Sequence, residues 1–190
     1  VIPAEFGHCT SLTRLSMPFN SLKDLPIEVS RLHKVRFLNV SHNKLAEMPD
    51  CIGYLTSIES LDLSSNQILV MLPSVGNLVN CEIMSLGSNA LEGLPREIGD
   101  LPVLKHLSLD TNIIKSLPVE LGRLSSLERL VISGNREIYN PPAVVLRKGT
   151  AAIISYLRRL LDGMVTNDFD LSDLGLTDVP HDITREYTAL

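Results

Sequence analysis

The sequence predicts an α/β solenoid, a stack of similar coils that each contain one short strand and one return segment. Three observations support this fold class: a 23-residue period, an asparagine that recurs at that interval, and an aliphatic composition. Hydrophobic residues make up 44% of the 190 residues, whereas aromatic residues make up 4% and tryptophan is absent. This composition favours stacked aliphatic coils over a core built around aromatic anchors.

The clearest period runs from residue 104 to residue 126, LKHLSLDTNIIKSLPVELGRLSS. The spacing of Leu104, Leu107 and Leu109 predicts a short strand with one buried face. Asn112 and Pro118 then turn the chain, and three leucines predict a return segment over the same core: Leu117, Leu121 and Leu124. One such unit cannot bury its own apolar face, so it must stack on copies of itself.

The copies define a predicted repeat domain over residues 1–149, with a partial repeat at 1–11 and six full repeats at 12–149. Residues 1–11 match the back half of a period, so we expect the array to continue upstream. In the third repeat Pro73 comes one residue late, which predicts a local bulge on the outer side. Six asparagines stand 23 residues apart, where their side chains can satisfy backbone groups in the turns: Asn20, Asn43, Asn66, Asn89, Asn112 and Asn135.

Residues 141–163 change period and predict C-terminal capping helices that overlap the last repeat. Gly149 is expected to end the first helix, Thr150 to cap the second, and Gly163 to stop it. Such helices would cover the apolar edge of the sixth coil. Residues 164–190 predict the start of a further repeat or second array, with Leu174 in the asparagine position.

The net charge of −5 and a pI near 5.5 argue against nucleic acid, which requires a basic surface. The three cysteines are an odd number without Cys-rich end caps, and Cys9 and Cys81 fall on positions that predict small core residues. No signal peptide, long apolar run or lipidation motif is present. We therefore expect a cytoplasmic chain without membrane insertion.

No catalytic or cofactor motif is found. The histidines and cysteines lack metal-ligand spacing, and Asp173 stands where a calcium loop beginning at Asp168 would need glycine. We therefore expect a non-enzyme with no metal, no cofactor and no small-molecule substrate.

The repeated unit L-x-x-L-x-L-x-x-N-x-L-x-x-L-P-x-x-I-x-x-L-x-x resembles the leucine-rich repeat in its 23-residue intracellular form. It is similar to the Ras-group-related repeats of plants and to the Ras-suppressor, Sur-8 and Scribble–Erbin repeats. The segment from Pro141 to Arg158 is similar to cap helices of multi-array repeat proteins, and to the linker that precedes the GTPase domain in Roco proteins. Here a further repeat follows instead of a phosphate-binding loop.

The resemblance implies a right-handed horseshoe with a parallel sheet on its concave side, where the family most often binds other proteins. No catalytic residue belongs to the repeat. Equivalent residues of successive parallel strands form ladders, in which neighbouring residues lie about 4.8 Å apart. Phe37 and Ile83 stand where the repeat needs nothing apolar, which indicates a protein contact with His106 as a further anchor. The predicted partner-binding residues are Arg14, Phe19, Phe37, Asn39, His42, Asp62, Ile83, Ser85, His106, Asp110 and Arg129.

The expected function is a scaffold or adaptor in intracellular signalling that binds a protein partner through the concave face. The alternative is a regulatory or targeting array of a larger signalling enzyme: a kinase, a Roco-type GTPase or a ubiquitin ligase. A host-directed or surface protein of a microbe is a third hypothesis.

Overall fold

A computed structural model describes residues 3–178 of the chain. Six short strands lie side by side in chain order and form one parallel sheet. Successive strands pair without a shift, so residues 23 positions apart are neighbours throughout, as Arg14 and Phe37 are in the first pair. The strands are β1 Arg14–Ser16, β2 Phe37–Asn39, β3 Ser60–Asp62, β4 Ile83–Ser85, β5 His106–Ser108 and β6 Arg129–Val131. The fold class is therefore confirmed as a right-handed repeat solenoid with its sheet on the concave side.

Every strand buries its middle residue and turns its two flanking residues outward, because successive side chains alternate between the faces of a strand. Leu61 and Leu107 are typical middle residues, with 0% and 1% of their surface exposed. The core is a continuous aliphatic stack along the solenoid. Cys51 and Cys81 lie within it, but Cys9 is exposed, so its predicted core position is wrong.

The return segments are short 3-10 helices, each five residues long. A proline precedes five of the six, and its fixed extended backbone starts the turn. Pro73 instead occupies the first position of its helix, where a missing N–H costs nothing. The helix keeps its place in the repeat, so the predicted bulge is wrong. The six helices are Ala4–His8, Ile27–Arg31, Asp50–Tyr54, Pro73–Asn77, Arg96–Asp100 and Val119–Arg123.

The asparagine ladder, defined as the six asparagines at 23-residue spacing, joins neighbouring coils. The Asn66 Oδ1 accepts from the backbone N–H of Leu45 at 3.0 Å in the preceding coil. Its Nδ2 donates to the carbonyl of Val40 in that same coil at 3.1 Å and to that of Leu63 in its own coil at 3.0 Å. Asn20 is exposed and donates only within its own coil, to Met17 and Pro18. Each asparagine after Asn20 therefore provides hydrogen-bond partners for backbone N–H and carbonyl groups where two coils meet.

Two helices follow the sixth strand, α1 over Ala143–Leu146 and α2 over Thr150–Thr166. The helix α2 continues past Gly163 to Thr166, and Asn167 follows it in the left-handed conformation, so the predicted stop is wrong. Gly163 serves packing, since a Cβ there would overlap the ring of Phe169.

The predicted cap at Thr150 is also wrong, because its side chain makes no cap hydrogen bond. Its Oγ1 instead accepts from the backbone N–H of Leu130 at 2.9 Å, on the outer edge of β6. The helix also closes the end of the array through Arg158, whose Nε donates to the carbonyl of Gly122 at 2.8 Å. The capping role therefore comes from contacts with the sixth coil.

Residues 168–178 repeat the turn that follows each strand. The Asp170 Oδ1 accepts from the N–H of Ser172 at 3.0 Å, as the Asp62 Oδ1 does from Ser64 at 3.0 Å. Asp173 has a positive φ of 58°, like the residue before each asparagine of the array. No strand forms between residues 168 and 178. The further repeat remains a prediction, and its apolar positions at Val179 and Ile183 lie outside the described residues.

Candidate concave-face binding site

The outward residues of the six strands form a continuous concave face. The first position of each strand forms one ladder, which we call the anchor column. The pairing places its members in the order Arg14, Phe37, Ser60, Ile83, His106 and Arg129. The third position forms a second ladder that is mostly small and polar: Ser16, Asn39, Asp62, Ser85, Ser108 and Val131. Side chains of this face point away from the core, so core packing does not dictate their identity.

The first two coils form an aromatic corner from two stacked pairs. The guanidinium of Arg14 lies 4.4 Å from the ring centroid of Phe37, a cation–π contact. Phe19 stacks on His42 with centroids 4.2 Å apart and ring planes within 9°. Phe19 is 76% exposed and has a φ of 56°, an unfavourable conformation for a bulky residue. The partners in both pairs are 23 residues apart, so the repeat register alone could have found these contacts.

The last three coils form a different surface, a shallow depression of about 310 Å³. Ile83, His106 and Arg129 line it in successive strands, with Ser85, Ser108 and Val131 beside them. Ile83 is 42% exposed, which is high for an isoleucine in the middle of a sheet. No ion pair holds the Arg129 guanidinium among residues 3–178. This end of the face therefore places an exposed isoleucine near a guanidinium that is in no ion pair with the described residues.

Three predicted residues also stabilise the turns at the strand ends. The Asn39 Oδ1 accepts from the N–H of Ser41 at 2.9 Å. Asp62 makes the equivalent bond one coil later, and the Asp110 Oδ1 accepts from the hydroxyl of Ser108 at 2.5 Å. Each therefore has a local structural role whether or not it meets a partner. Sequence reasoning missed this role.

The structure brings the predicted site residues onto one face but not into one cluster. Arg14, Phe19, Phe37 and His42 lie at one end, whereas Ile83, His106 and Arg129 lie at the other. Phe37 and Ile83 are separated by the strand that carries Ser60. Which of these residues contact a partner remains a prediction.

Other chemistry has little support in the described part of the chain. No group of three His, Cys, Asp or Glu side chains between residues 3 and 178 is arranged to hold a metal ion. Burial raises the pKa of the Cys81 thiol to about 12, so this buried sulfur stays protonated at neutral pH. None of the described helices is sufficiently long and apolar to span a bilayer.

Comparison with known proteins identifies the family. The leucine-rich repeat profile matches residues 10–68, 56–114 and 79–136, which together span most of the six coils. The chain is a leucine-rich repeat protein. No curated protein sequence matches this leucine-rich repeat chain significantly.

Three solved structures illustrate what this leucine-rich repeat protein resembles. The plant peptide hormone receptor RGFR1, in complex with RGF2, is 31% identical over 71% of this chain and 22% of the receptor, with a TM-score of 0.65. The ectodomain of the Arabidopsis thaliana receptor kinase GASSHO1 is 32% identical over 70% of this chain and 17% of that one, with a TM-score of 0.63. A leucine-rich repeat protein of Leptospira interrogans is 26% identical over 72% of this chain, with a TM-score of 0.56. The chain spans 44% of the Leptospira protein, so it is shorter than all three.

Proposed function

We propose that this leucine-rich repeat chain is a non-catalytic module that binds a protein partner on its concave face, as a scaffold or adaptor in intracellular signalling. The observation that carries the proposal concerns the anchor column. Phe37 and Ile83 lie on the concave face of the sheet, whereas the residues on its other face form the core. Apolar side chains surrounded by small polar ones are typical of protein contacts. The shallow depression that Ile83 lines suits a peptide or a protein surface better than an enclosed small molecule.

The structural neighbours support the same class of function. The plant peptide hormone receptor RGFR1 was solved in complex with RGF2, and the GASSHO1 ectodomain was solved in complex with Casparian strip integrity factor 2. Both share the repeat fold and more than 30% of the aligned residues with this chain. Repeat arrays that resemble this chain therefore occur in complexes with partner molecules.

The alternative is a regulatory or targeting array within a larger signalling enzyme. It is favoured by one specific observation, that a receptor kinase is among the neighbours and that this chain spans only 17% of its ectodomain. Both proposals place partner recognition on the repeats and differ only in what the repeats are attached to. Sequencing the flanking coding region would separate them, because a catalytic domain would be recognised there.

We also propose a cytoplasmic location and the intracellular 23-residue repeat subtype. The regular period and the three free cysteines support both, since disulfides are rare in reducing compartments. Cell fractionation of the full-length protein tests the location. Recovery in the secreted fraction would contradict it.

The binding proposal is tested by Phe37→Ser combined with Ile83→Ser. We expect quantitative affinity capture with this variant to recover at least about 90% less of one or more specific partners than capture with the unmodified protein. The reason is that two apolar anchors are removed from the concave face. The captured partner is then purified, and its affinity for both proteins is measured by calorimetry.

The matched control is Ile27→Ser combined with Tyr54→Ser, which removes two exposed apolar side chains from the 3-10 helices of the opposite side. This control should keep its partners. If the control loses the same proteins, or if the concave variant loses none, partner binding lies on another face.

A further inference from the structure

The two apolar residues of the anchor column lie two coils apart, Phe37 in the second coil and Ile83 in the fourth. Arg129 follows two coils further along, in the sixth coil and next to His106 of the fifth. Ser60 separates the first two with a small polar side chain. Because neighbouring parallel strands lie about 4.8 Å apart, Ile83 stands about 9.6 Å along the solenoid from Phe37 on one side and from Arg129 on the other.

This distance matches one turn of a polyproline II helix. That conformation has three residues per turn and rises about 3.1 Å per residue, so its positions i, i+3 and i+6 share a face at intervals of about 9.3 Å. In a β-strand, successive side chains on one face lie about 6.6 Å apart. This distance matches neither the spacing of one coil, about 4.8 Å, nor that of two coils, about 9.6 Å. An α-helix repeats closest at i and i+7, about 10.5 Å, and accumulates about 2 Å of mismatch over three anchors.

We propose that the concave face recognises a partner segment in the polyproline II conformation, lying along the solenoid axis across the strands. The inference rests on the proposed function and specifies the ligand of that same face. Two apolar side chains three residues apart contact Phe37 and Ile83. A third position, three residues further, meets Arg129.

Charge assigns an acidic residue to that third position. His106 and Arg129 are neighbours in β5 and β6, and both line the depression beside Ile83. The carboxylates of Asp62 and Asp110 form no ion pair with His106 or Arg129, and each accepts a hydrogen bond from a nearby serine hydroxyl. A partner carboxylate would therefore meet two cationic or ionisable side chains without a competing ion pair among the described residues.

The small polar column supplies what this ligand conformation lacks. A polyproline II segment makes no internal hydrogen bonds, so its N–H and carbonyl groups need outside partners. Ser85 and Ser108 lie beside the anchor column within the depression, where their hydroxyls can donate or accept. Bulky side chains in this column would hold the partner backbone away from the sheet.

The experiment is selection of a random 12-residue peptide display library on the full chain. The expected consensus is apolar-x-x-apolar-x-x-Asp/Glu or the same pattern reversed, with proline enriched at the intervening positions. Apolar residues two or seven apart would indicate a strand or a helix and would overturn the proposal. Failure to enrich any peptide over the library background would overturn it as well.

The decisive variant exchanges two residues, Ser60→Ile with Ile83→Ser. It keeps the composition of the anchor column but moves the apolar group one coil closer to Phe37, to about 4.8 Å. A synthetic peptide carrying the selected spacing should bind this variant at least about tenfold more weakly in fluorescence polarisation. Equal affinity for both proteins would refute the spacing argument, provided that far-ultraviolet circular dichroism shows the variant folded.

The two proposals fail in different ways. If Phe37→Ser with Ile83→Ser abolishes partner capture but the selected peptides lack the three-residue spacing, concave binding stands and the ligand conformation is wrong. If that double variant keeps all its partners, the binding face itself is wrong.

Discussion

Two ladders in this molecule share one 23-residue period and differ in what they tolerate. The asparagine ladder uses the same residue six times, and its inner members bond to backbone groups of two coils. The anchor column uses five residue types in six places, among them arginine, phenylalanine and serine. The asparagines face polar backbone groups that must be satisfied away from water, whereas the anchor column faces solvent.

This difference separates structure from function within one repeat. Where every coil presents the same unsatisfied N–H and carbonyl groups, every coil needs the same side chain. Where the fold needs nothing, residue type is free to follow a partner. Substitutions should therefore cost most stability in the core and the asparagine ladder, and least on the anchor column.

The largest effect is expected from Leu61→Ala in the middle of β3. Leu61 is fully buried, so its truncation leaves a cavity and should lower the free energy of unfolding by about 3–5 kcal/mol. Urea unfolding followed by circular dichroism measures the change. Ser60→Ala, one residue away on the outward face, is the control and should change stability by less than about 0.5 kcal/mol.

The second largest effect is expected from Asn66→Ala, which should lower the free energy of unfolding by about 2–3 kcal/mol. The substitution leaves the N–H of Leu45 and the carbonyls of Val40 and Leu63 without their side-chain partner. Asn20→Ala is the matched comparison, because Asn20 is exposed and bonds only within its own coil. An equal loss for both asparagines would show that local turn propensity, not inter-coil bonding, sets the residue type.

The buried thiol of Cys81 should make stability depend on alkaline pH. Burial raises the pKa of this thiol from 9.0 to about 12, so the folded state holds the proton more tightly than the unfolded state. Its contribution is therefore complete below about pH 9 and is lost as pH rises toward 12, by roughly 1 kcal/mol per pH unit.

Urea unfolding at pH 8, 9 and 10 measures this slope. Cys81→Ala should reduce it by about half, because burial also raises the pKa of the Cys51 thiol to about 12. Cys9→Ser is the control, since Cys9 is exposed. A slope that survives in Cys81→Ala with undiminished size would assign the alkaline sensitivity to other groups.

The smallest effect is expected from Ile83→Ser on the anchor column. Its side chain is 42% exposed and lies outside the core, so stability should change by less than about 0.5 kcal/mol. Thermal unfolding of the single variant measures it. A loss above 2 kcal/mol would mean that the fold itself requires an apolar residue there, and the division between the two ladders would not hold.

The period was sufficient to predict the solenoid, because each strand buries one leucine and exposes its neighbours regardless of what the rest of the chain does. It also placed the asparagines at the turns between coils. The same register brings Arg14 onto Phe37 and Phe19 onto His42, although the sequence alone does not say that these side chains stack.

The errors lie where the period ends or where packing overrides a local signal. Gly163 suggested a helix stop, yet it is a contact point for the Phe169 ring within a longer helix. Thr150 suggested a cap, yet the free edge of β6 uses its hydroxyl. Cys9 has the spacing of a core residue but is exposed in the first described return segment. Local propensity could not anticipate these outcomes because each depends on what packs against the residue.

The asparagine bonds also give the array a direction. Each inner asparagine reaches back to the coil before it, to an N–H 21 residues earlier and a carbonyl 26 residues earlier. After Asn135 the next place in the series is residue 158, which is Arg158 within α2. An inner coil such as residues 58–80 could therefore be duplicated or removed without leaving any asparagine short of a partner. The number of coils can therefore change, and with it the length of the concave face, whereas the closing helix is not interchangeable with another coil.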